Sequence, residues 1–195
     1  MKLHTSPLSP FARKVHILAQ LKNIELEYVP AVKGGAKGYT AGVNPLGKVP
    51  ALDIGGDVVL YDSPVICDYI DSLETPILPA AGDARWAQLQ LHALGDGISE
   101  AVYNYRYEIV RDEGLHWDAM IERHETAVRS AVLYLETCVD TLGAPWEFGN
   151  LSIICALDYA DFRAGHLEWR NLAPKLSVWH AKFTSEPAWK DTYAY

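Results

Sequence analysis

The sequence is poor in the features that mark several whole classes of protein. Only three of its 195 residues are cysteine, and Cys67, Cys138 and Cys155 are widely separated among apolar neighbours. That pattern suits reduced thiols in a core and not a disulfide framework. The seven histidines show no pairing with cysteine or carboxylate at ligand spacing, so no metal is expected. No apolar run approaches the roughly 20 residues that cross a bilayer. The opening "MKLHTSPLSP" has neither a long apolar stretch nor a small-residue cleavage site, so the expected location is cytoplasmic. Positive charge is also scarce: 17 Lys and Arg against 25 Asp and Glu leave a net charge of -8. That balance works against sequence-independent binding to nucleic acid or to an anionic membrane surface. Apolar residues, by contrast, make up 49% of the chain, enough to bury a substantial core in one large domain or two small ones.

The first third alternates between two patterns. Residues 2–6 and 25–31 read as strands, separated by a helical stretch in which Val15, Leu18, Ala19 and Lys22 share a face. After the glycine-rich "KGGAKGYTAG" come "VPALDI", the pair Gly55-Gly56 and "DVVLYD", which read as an antiparallel hairpin. The glycine-rich stretch lacks the G-x-x-x-x-G-K-[ST] order of a phosphate loop and is read as a mobile loop bordering a site. A helix follows with Asp62 or Ser63 as its cap, Pro64 at its first position and Val65, Ile66, Tyr69 and Ile70 along one face. The order β-α-β then β-β-α predicts a small mixed sheet with helices on both sides, ending near Leu73.

"LETPILPAAGD", residues 73–83, breaks the pattern with two prolines and a glycine and suits a connection between domains. Beyond it no strand alternation survives. Trp86, Leu89, Ile98, Val102, Tyr105 and Ile109 predict a long amphipathic helix over 84–110, and Trp117, Ile121, Val128, Val132, Leu135, Val139 and Leu142 predict another over 117–142. "FGNLSIICALDYADF", apolar all round, reads as a central helix, and a fourth spans roughly 172–183. The division expected is residues 1–75 and an all-helical part over 84–195.

Three motifs carry chemistry. In "TSPLSPFARKVHI" Ser9 precedes Pro10 where an extended segment enters a helix. The hydroxyl can cap the helix itself, or it can hold an outside anion at the positive end of the helix. In "NPLGKVPAL" Pro50 stands at the mouth of a strand, where it deprives a ladder of a donor. It is either an ordinary edge proline or the mark of a cis Val49-Pro50 bond that leaves the Val49 backbone free to pair with a peptide-like ligand. In "YDSPVI" Asp62 and Ser63 open a second helix, as simple caps or as acceptor for an ammonium and donor to a carboxylate.

Taken together, these motifs, followed by an all-helical half, resemble the glutathione S-transferase superfamily over essentially the whole chain. "NPLGKVPAL" and "YDSPVICDYI" are the most specific matches, and "SPLSPFARKVHI" looks like the bacterial serine-type members related to the zeta and theta classes. The resemblance implies a thioredoxin-like α/β amino-terminal domain (βαβ-ββα) with an all-α carboxy-terminal domain, a homodimer, and glutathione as co-substrate. It puts Ser9 in the thiol-activating position and Val49, after which Pro50 is cis, against the cysteinyl part. Asp62 and Ser63 then hold the γ-glutamyl part, and Lys48 meets the glycyl carboxylate.

Two departures stand out. Asp62 is one methylene shorter than the glutamate more usual there, and the capping box of the central helix has Glu147 and Asn150 as stand-ins, a weaker start by about 0.5–2 kcal/mol. Position 9 is not cysteine, so the dithiol and mixed-disulfide chemistry of the cysteine-type members lacks its thiolate. Tyr103 and Tyr107, one turn apart with Arg106 between them, read either as packing or as an aromatic pocket with one cation for an electrophile lying between the domains. The implied function is a glutathione transferase that activates the thiolate for attack on an apolar electrophile, by conjugation, isomerisation or dehalogenation. The alternative is a non-catalytic binding or interaction protein on the same scaffold.

Overall fold

The computed structural model describes residues 1–32, 38, 42–143, 146–183 and 185–192. It divides into two compact units at Arg85 and Trp86. The expected division does not anticipate that the segment beginning at Pro187 returns to the first unit. Most of the glycine-rich stretch, and with it the loop expectation, lies outside the described residues.

In the first unit the strands β1 (Lys2–Thr5), β2 (Glu27–Pro30), β3 (Ala51–Gly55) and β4 (Val58–Leu60) form one sheet in the order β2-β1-β3-β4. β1 and β2 are parallel, and β1-β3 and β3-β4 are antiparallel. Alternation fixes the faces: Leu3 sits opposite Tyr28 and Leu52, and Leu52 opposite Leu60, so these four share one side. Helix α1 (Pro10–Leu21) covers that side, its His16 ring lying 4.4 Å from the Tyr28 ring and its Nε2 3.0 Å from Thr5 Oγ1. Helix α2 (Ser63–Ser72) packs against α1. Among the described residues these two helices, in contact with each other, cover one face of the sheet. Apolar spacing specifies that a helix has a buried face but not which side of the sheet receives it.

The connection after α2 is tied down by one carboxylate. Asp71, 1% exposed, accepts from the backbone N–H of Ile77 and of Leu78 and pairs with Lys22 Nζ at 2.7 Å, while Lys22 also donates to the Thr75 carbonyl. The proline-rich turn is thereby fastened to the ends of both helices. Arg13 of α1, 2% exposed, donates to the Trp189 carbonyl at 3.2 Å and to Thr192 Oγ1 at 3.3 Å, and its guanidinium lies 5.4 Å from the Trp189 ring centroid. These contacts hold α8 (Pro187–Lys190) on α1.

The second unit is helical. Its elements are α3 (Gly82–Ile109, which begins in the first unit), α4 (Asp118–Cys138), α5 (Phe148–Ala164), α6 (Trp169–Leu172) and α7 (Pro174–Ala181). α5 is buried almost all round, as its composition implies. The helix expected over roughly 172–183 is α7, and the short α6 before it ends at Leu172 because Pro174 pushes the preceding residue out of the helical region, Ala173 having φ -135° and ψ 72°. α3 and α5 approach closely at glycines. A Cβ on Gly95 would lie 2.4 Å from the Ser152 carbonyl carbon, and one on Gly149 2.7 Å from the Gln88 carbonyl oxygen.

The start of α5 is held by α3 and not by its own capping residues. Glu147 is the N-cap but makes no side-chain cap bond. Gln88 supplies the acceptor instead, taking the Gly149 N–H at 2.8 Å while donating to Glu147. Asn150, the other expected stand-in, donates to the Leu142 carbonyl at 2.7 Å. One turn further along α3, His92 stacks on Phe148 at 4.9 Å, and Asp96 accepts the Ser152 hydroxyl at 2.7 Å.

Candidate functional site

Strand direction brings the three amino-terminal motifs to one end of the sheet. β1 runs toward Thr5 and on to Ser9. β3 starts at that same end, with Ala51 opposite His4, and β4 finishes there, with Leu60 opposite Leu52 before the chain enters Asp62 and Ser63. Two helix amino termini and a strand mouth therefore share one edge, the arrangement that suits a ligand with anionic ends and a peptide-like middle.

Ser9 is the N-cap of α1, with extended φ and ψ of -93° and 117°, and Pro10 takes the first helical position. Its Oγ accepts the Ala12 N–H at 3.2 Å. A hydroxyl that accepts at its oxygen keeps its proton to donate, so capping and anion binding are compatible in the same side chain. The half-buried position of Ser9 leaves room for such a partner.

The Val49-Pro50 bond is cis. β3 lies between β1 and β4, so Pro50 opens an internal strand and the edge-proline alternative falls away. Among the described residues no hydrogen bond engages the Val49 N–H or C=O. Asn44, a residue that sequence reasoning gave no role, organises the turn before it. Buried to 2%, it takes the Leu46 N–H on its Oδ1 and donates from Nδ2 to the Lys48 carbonyl, both at 2.9 Å. Lys48 itself is exposed.

At α2 the N-cap is Asp62, which makes no side-chain cap bond and is exposed, while Ser63 is 2% exposed. The simple-capping reading predicts such a bond; its absence leaves the Asp62 carboxylate and the first N–H groups of α2 available.

In the second unit α3 turns two faces outward and inward within five residues. Tyr103 and Tyr107 are 41% and 50% exposed with their rings 4.5 Å apart, and Arg106 is half-buried beside them. Tyr105 is buried and stacks on His166, whose Nε2 meets Glu125 at 2.7 Å; burial, and then Glu125, push its phenol pKa up. Sequence reasoning gave no role to Tyr159 and Arg163 of α5. Arg163 hydrogen-bonds to the Tyr159 hydroxyl, and the charges of Tyr107 and Arg106 are felt there; burial outweighs both arginines and pushes the Tyr159 phenol up. A cation four residues after a tyrosine in an otherwise apolar helix was the available signal.

Among the described residues no group of three or more His, Cys, Asp or Glu is placed to hold a metal, and no helix is long and apolar enough to cross a membrane.

Residues 3–76 match the family model of the glutathione S-transferase amino-terminal domain. The chain is 32% identical over 168 residues to the uncharacterized GST-like protein YibF of Escherichia coli K12, covering 84% of this chain and 83% of that one. It superposes with a TM-score of 0.93 and 35% identity on a glutathione transferase family member from Pseudomonas fluorescens Pf-5 with bound glutathione, covering 98% and 97% of the two chains. A second structure from that organism, with bound S-(propanoic acid)-glutathione, matches at 34% identity and a TM-score of 0.88 over the full length of both. With relatives this similar over nearly their whole length, and with the strand-mouth cis-proline and the two serine-headed helices in place, the chain belongs to the glutathione S-transferase superfamily.

Proposed function

We propose that the protein is a glutathione transferase of the serine type, in which Ser9 stabilises the glutathione thiolate for attack on an electrophile. The observation that carries the reading is the gathering of Ser9, Val49 and Ser63 at one end of the sheet. Val49 offers its unpaired N–H and C=O to the cysteinyl part, Asp62 and Ser63 hold the γ-glutamyl part at the start of α2, and Lys48 meets the glycyl carboxylate. Glutathione bound in one relative, and an S-substituted glutathione in another, support a tripeptide site open on its sulfur side. The second unit supplies electrophile contacts through Tyr103, Arg106 and Tyr107. Family membership also supports a homodimer as the working form.

The energies suffice without a general base. A thiol of pKa about 8.5 is only a few per cent ionised at neutral pH, and lowering it by about two units requires roughly 2.7 kcal/mol of preference for the anion. A hydroxyl hydrogen bond to a charged sulfur contributes about 1.5–3 kcal/mol, and the amino terminus of α1 about 0.3–1 more. Ser9 is then a stabiliser of the anion and not a nucleophile.

Ser9→Ala tests this. Turnover with a generic aryl halide falls about 10- to 100-fold and the pKa of the bound thiol, followed by thiolate absorbance, rises. Glutathione affinity measured by calorimetry changes little. Unchanged turnover in Ser9→Ala with loss of activity in Ser6→Ala transfers the role to Ser6. Glutathione binding with no turnover in the parent protein favours the non-catalytic alternative.

A further inference from the structure

Ser9 rides on α1. Its carbonyl accepts the Arg13 N–H at 3.0 Å and its Oγ the Ala12 N–H at 3.2 Å, so the side chain goes where the helix goes. The strand mouth, in contrast, belongs to the sheet: Ala51, which follows the cis Val49-Pro50 bond, pairs with His4 of β1. A ligand held on the Val49 backbone is therefore fixed to the sheet, while the hydroxyl that serves its sulfur is fixed to a helix. Along the chain the two are joined by the turn over residues 6–9, closed by the Ser9 N–H on the Ser6 carbonyl at 3.1 Å.

A second link bypasses that turn. Thr5, the last residue of β1 and 6% exposed, gives its carbonyl to the Ala31 N–H at 2.7 Å, and its hydroxyl shares a hydrogen bond of 3.0 Å with His16 Nε2. One residue thus belongs to the sheet through its backbone and to α1 through its side chain. His16 lies seven residues beyond Ser9, two turns along the same stripe of the helix, with its ring 4.4 Å from Tyr28 of β2. The apolar side chains of α1, Ala12, Val15, Leu18 and Ala19, are fully buried, but apolar contact has no direction and tolerates sliding. A hydrogen bond has direction and weakens steeply when bent.

We propose that Thr5 and His16 are positioning residues for the thiolate: their hydrogen bond sets the register of α1 on the sheet and so holds the Ser9 hydroxyl at bonding distance from the glutathione sulfur. This deepens the transferase reading and rests on Ser9 having the role given above. Both residues act through Ser9. A misplacement of about 1 Å in such a group costs up to about a hundredfold in rate. The backbone at Val49 and the start of α2 carry the tripeptide separately, so the clamp bears on turnover and on the pKa of the bound thiol and little on affinity.

The test breaks the bond from each side and then restores it. Thr5→Val keeps the shape and removes the hydroxyl; His16→Phe keeps a ring against Tyr28 and removes the nitrogen. Each lowers kcat with a generic aryl halide about tenfold and raises the bound-thiol pKa by about half a unit to one unit, while KM for glutathione stays within about threefold. Thr5→Ser and His16→Gln, which retain a hydrogen-bonding group, stay within about threefold of the parent protein in kcat. The double variant combining Thr5→Val and His16→Phe falls no further than either alone, because both remove the same bond. A merely structural bond lowers the thermal midpoint and leaves the thiol pKa where it was, and that result overturns the proposal. So does an equal loss of kcat when Thr5→Val is added to Ser9→Ala, where no hydroxyl is left to misplace. Should one variant fail to fold, the other decides. The thiol titration reads the clamp even in a protein that binds glutathione without turnover. If Ser9→Ala matches the parent protein in both kcat and thiol pKa, the transferase reading falls and takes the clamp with it; an impaired Ser9→Ala beside an unaffected Thr5→Val overturns the clamp alone.

Discussion

His16 is the residue through which acid acts on the first unit. Its ring is wedged between Thr5 and Tyr28, and burial lowers its pKa from 6.5 to about 4. Between those two values the unfolded chain binds a proton that the folded chain refuses. The associated stability is complete above pH 6.5, declines as the pH falls and is gone by about pH 4. The span corresponds to about 3 kcal/mol, a large share of the 5–15 kcal/mol typical of a folded domain. His16→Gln removes the titration while keeping a polar group opposite Thr5. Urea unfolding from pH 4 to pH 7 should therefore give a difference between parent and variant that grows by about 3 kcal/mol toward neutral pH. Taking the difference cancels the carboxylates that titrate in both proteins. A histidine ring resonance for His16 that titrates near 6.5, or two stability curves that run parallel, refutes the reasoning.

Two further substitutions probe the packing. Gly95→Ala drives a methyl group into the backbone of α5 and costs about 1–3 kcal/mol or more, read as a lowered thermal midpoint; a neutral result would show that α3 can slide away from α5. Asp71→Ala strands the Lys22 ammonium and two backbone N–H groups and costs about 3–5 kcal/mol in denaturant unfolding. A loss below about 1 kcal/mol would mean that water reaches Lys22 as soon as its partner is gone.

What could be read from sequence was local. Ser9-Pro10 and Val49-Pro50 announce themselves because proline restricts its own backbone and its neighbour's, and the structure has a capped helix at one and a cis bond at the other. The buried length of α5 followed from composition alone. What escaped depends on partners distant along the chain. Glu147 and Asn150 were weighed as caps because they are near, whereas the acceptor that serves Gly149 is Gln88, on another helix. Nothing local marks Asp71 as the partner of Lys22, 49 residues before it in the chain. Tyr159 was absorbed into an apolar helix read as ending at Phe162, one residue short of Arg163, because periodicity assigns faces and does not say which polar groups meet across them.

The return of the segment after Pro187 bears on the order in which the protein can be made. Arg13 belongs to α1, but the oxygens at Trp189 and Thr192 that receive its guanidinium lie 176 and 179 residues further along the chain and are translated after it. Until then a charged group destined for the interior must stay hydrated, and the nascent amino-terminal half waits with its first helix incompletely sealed.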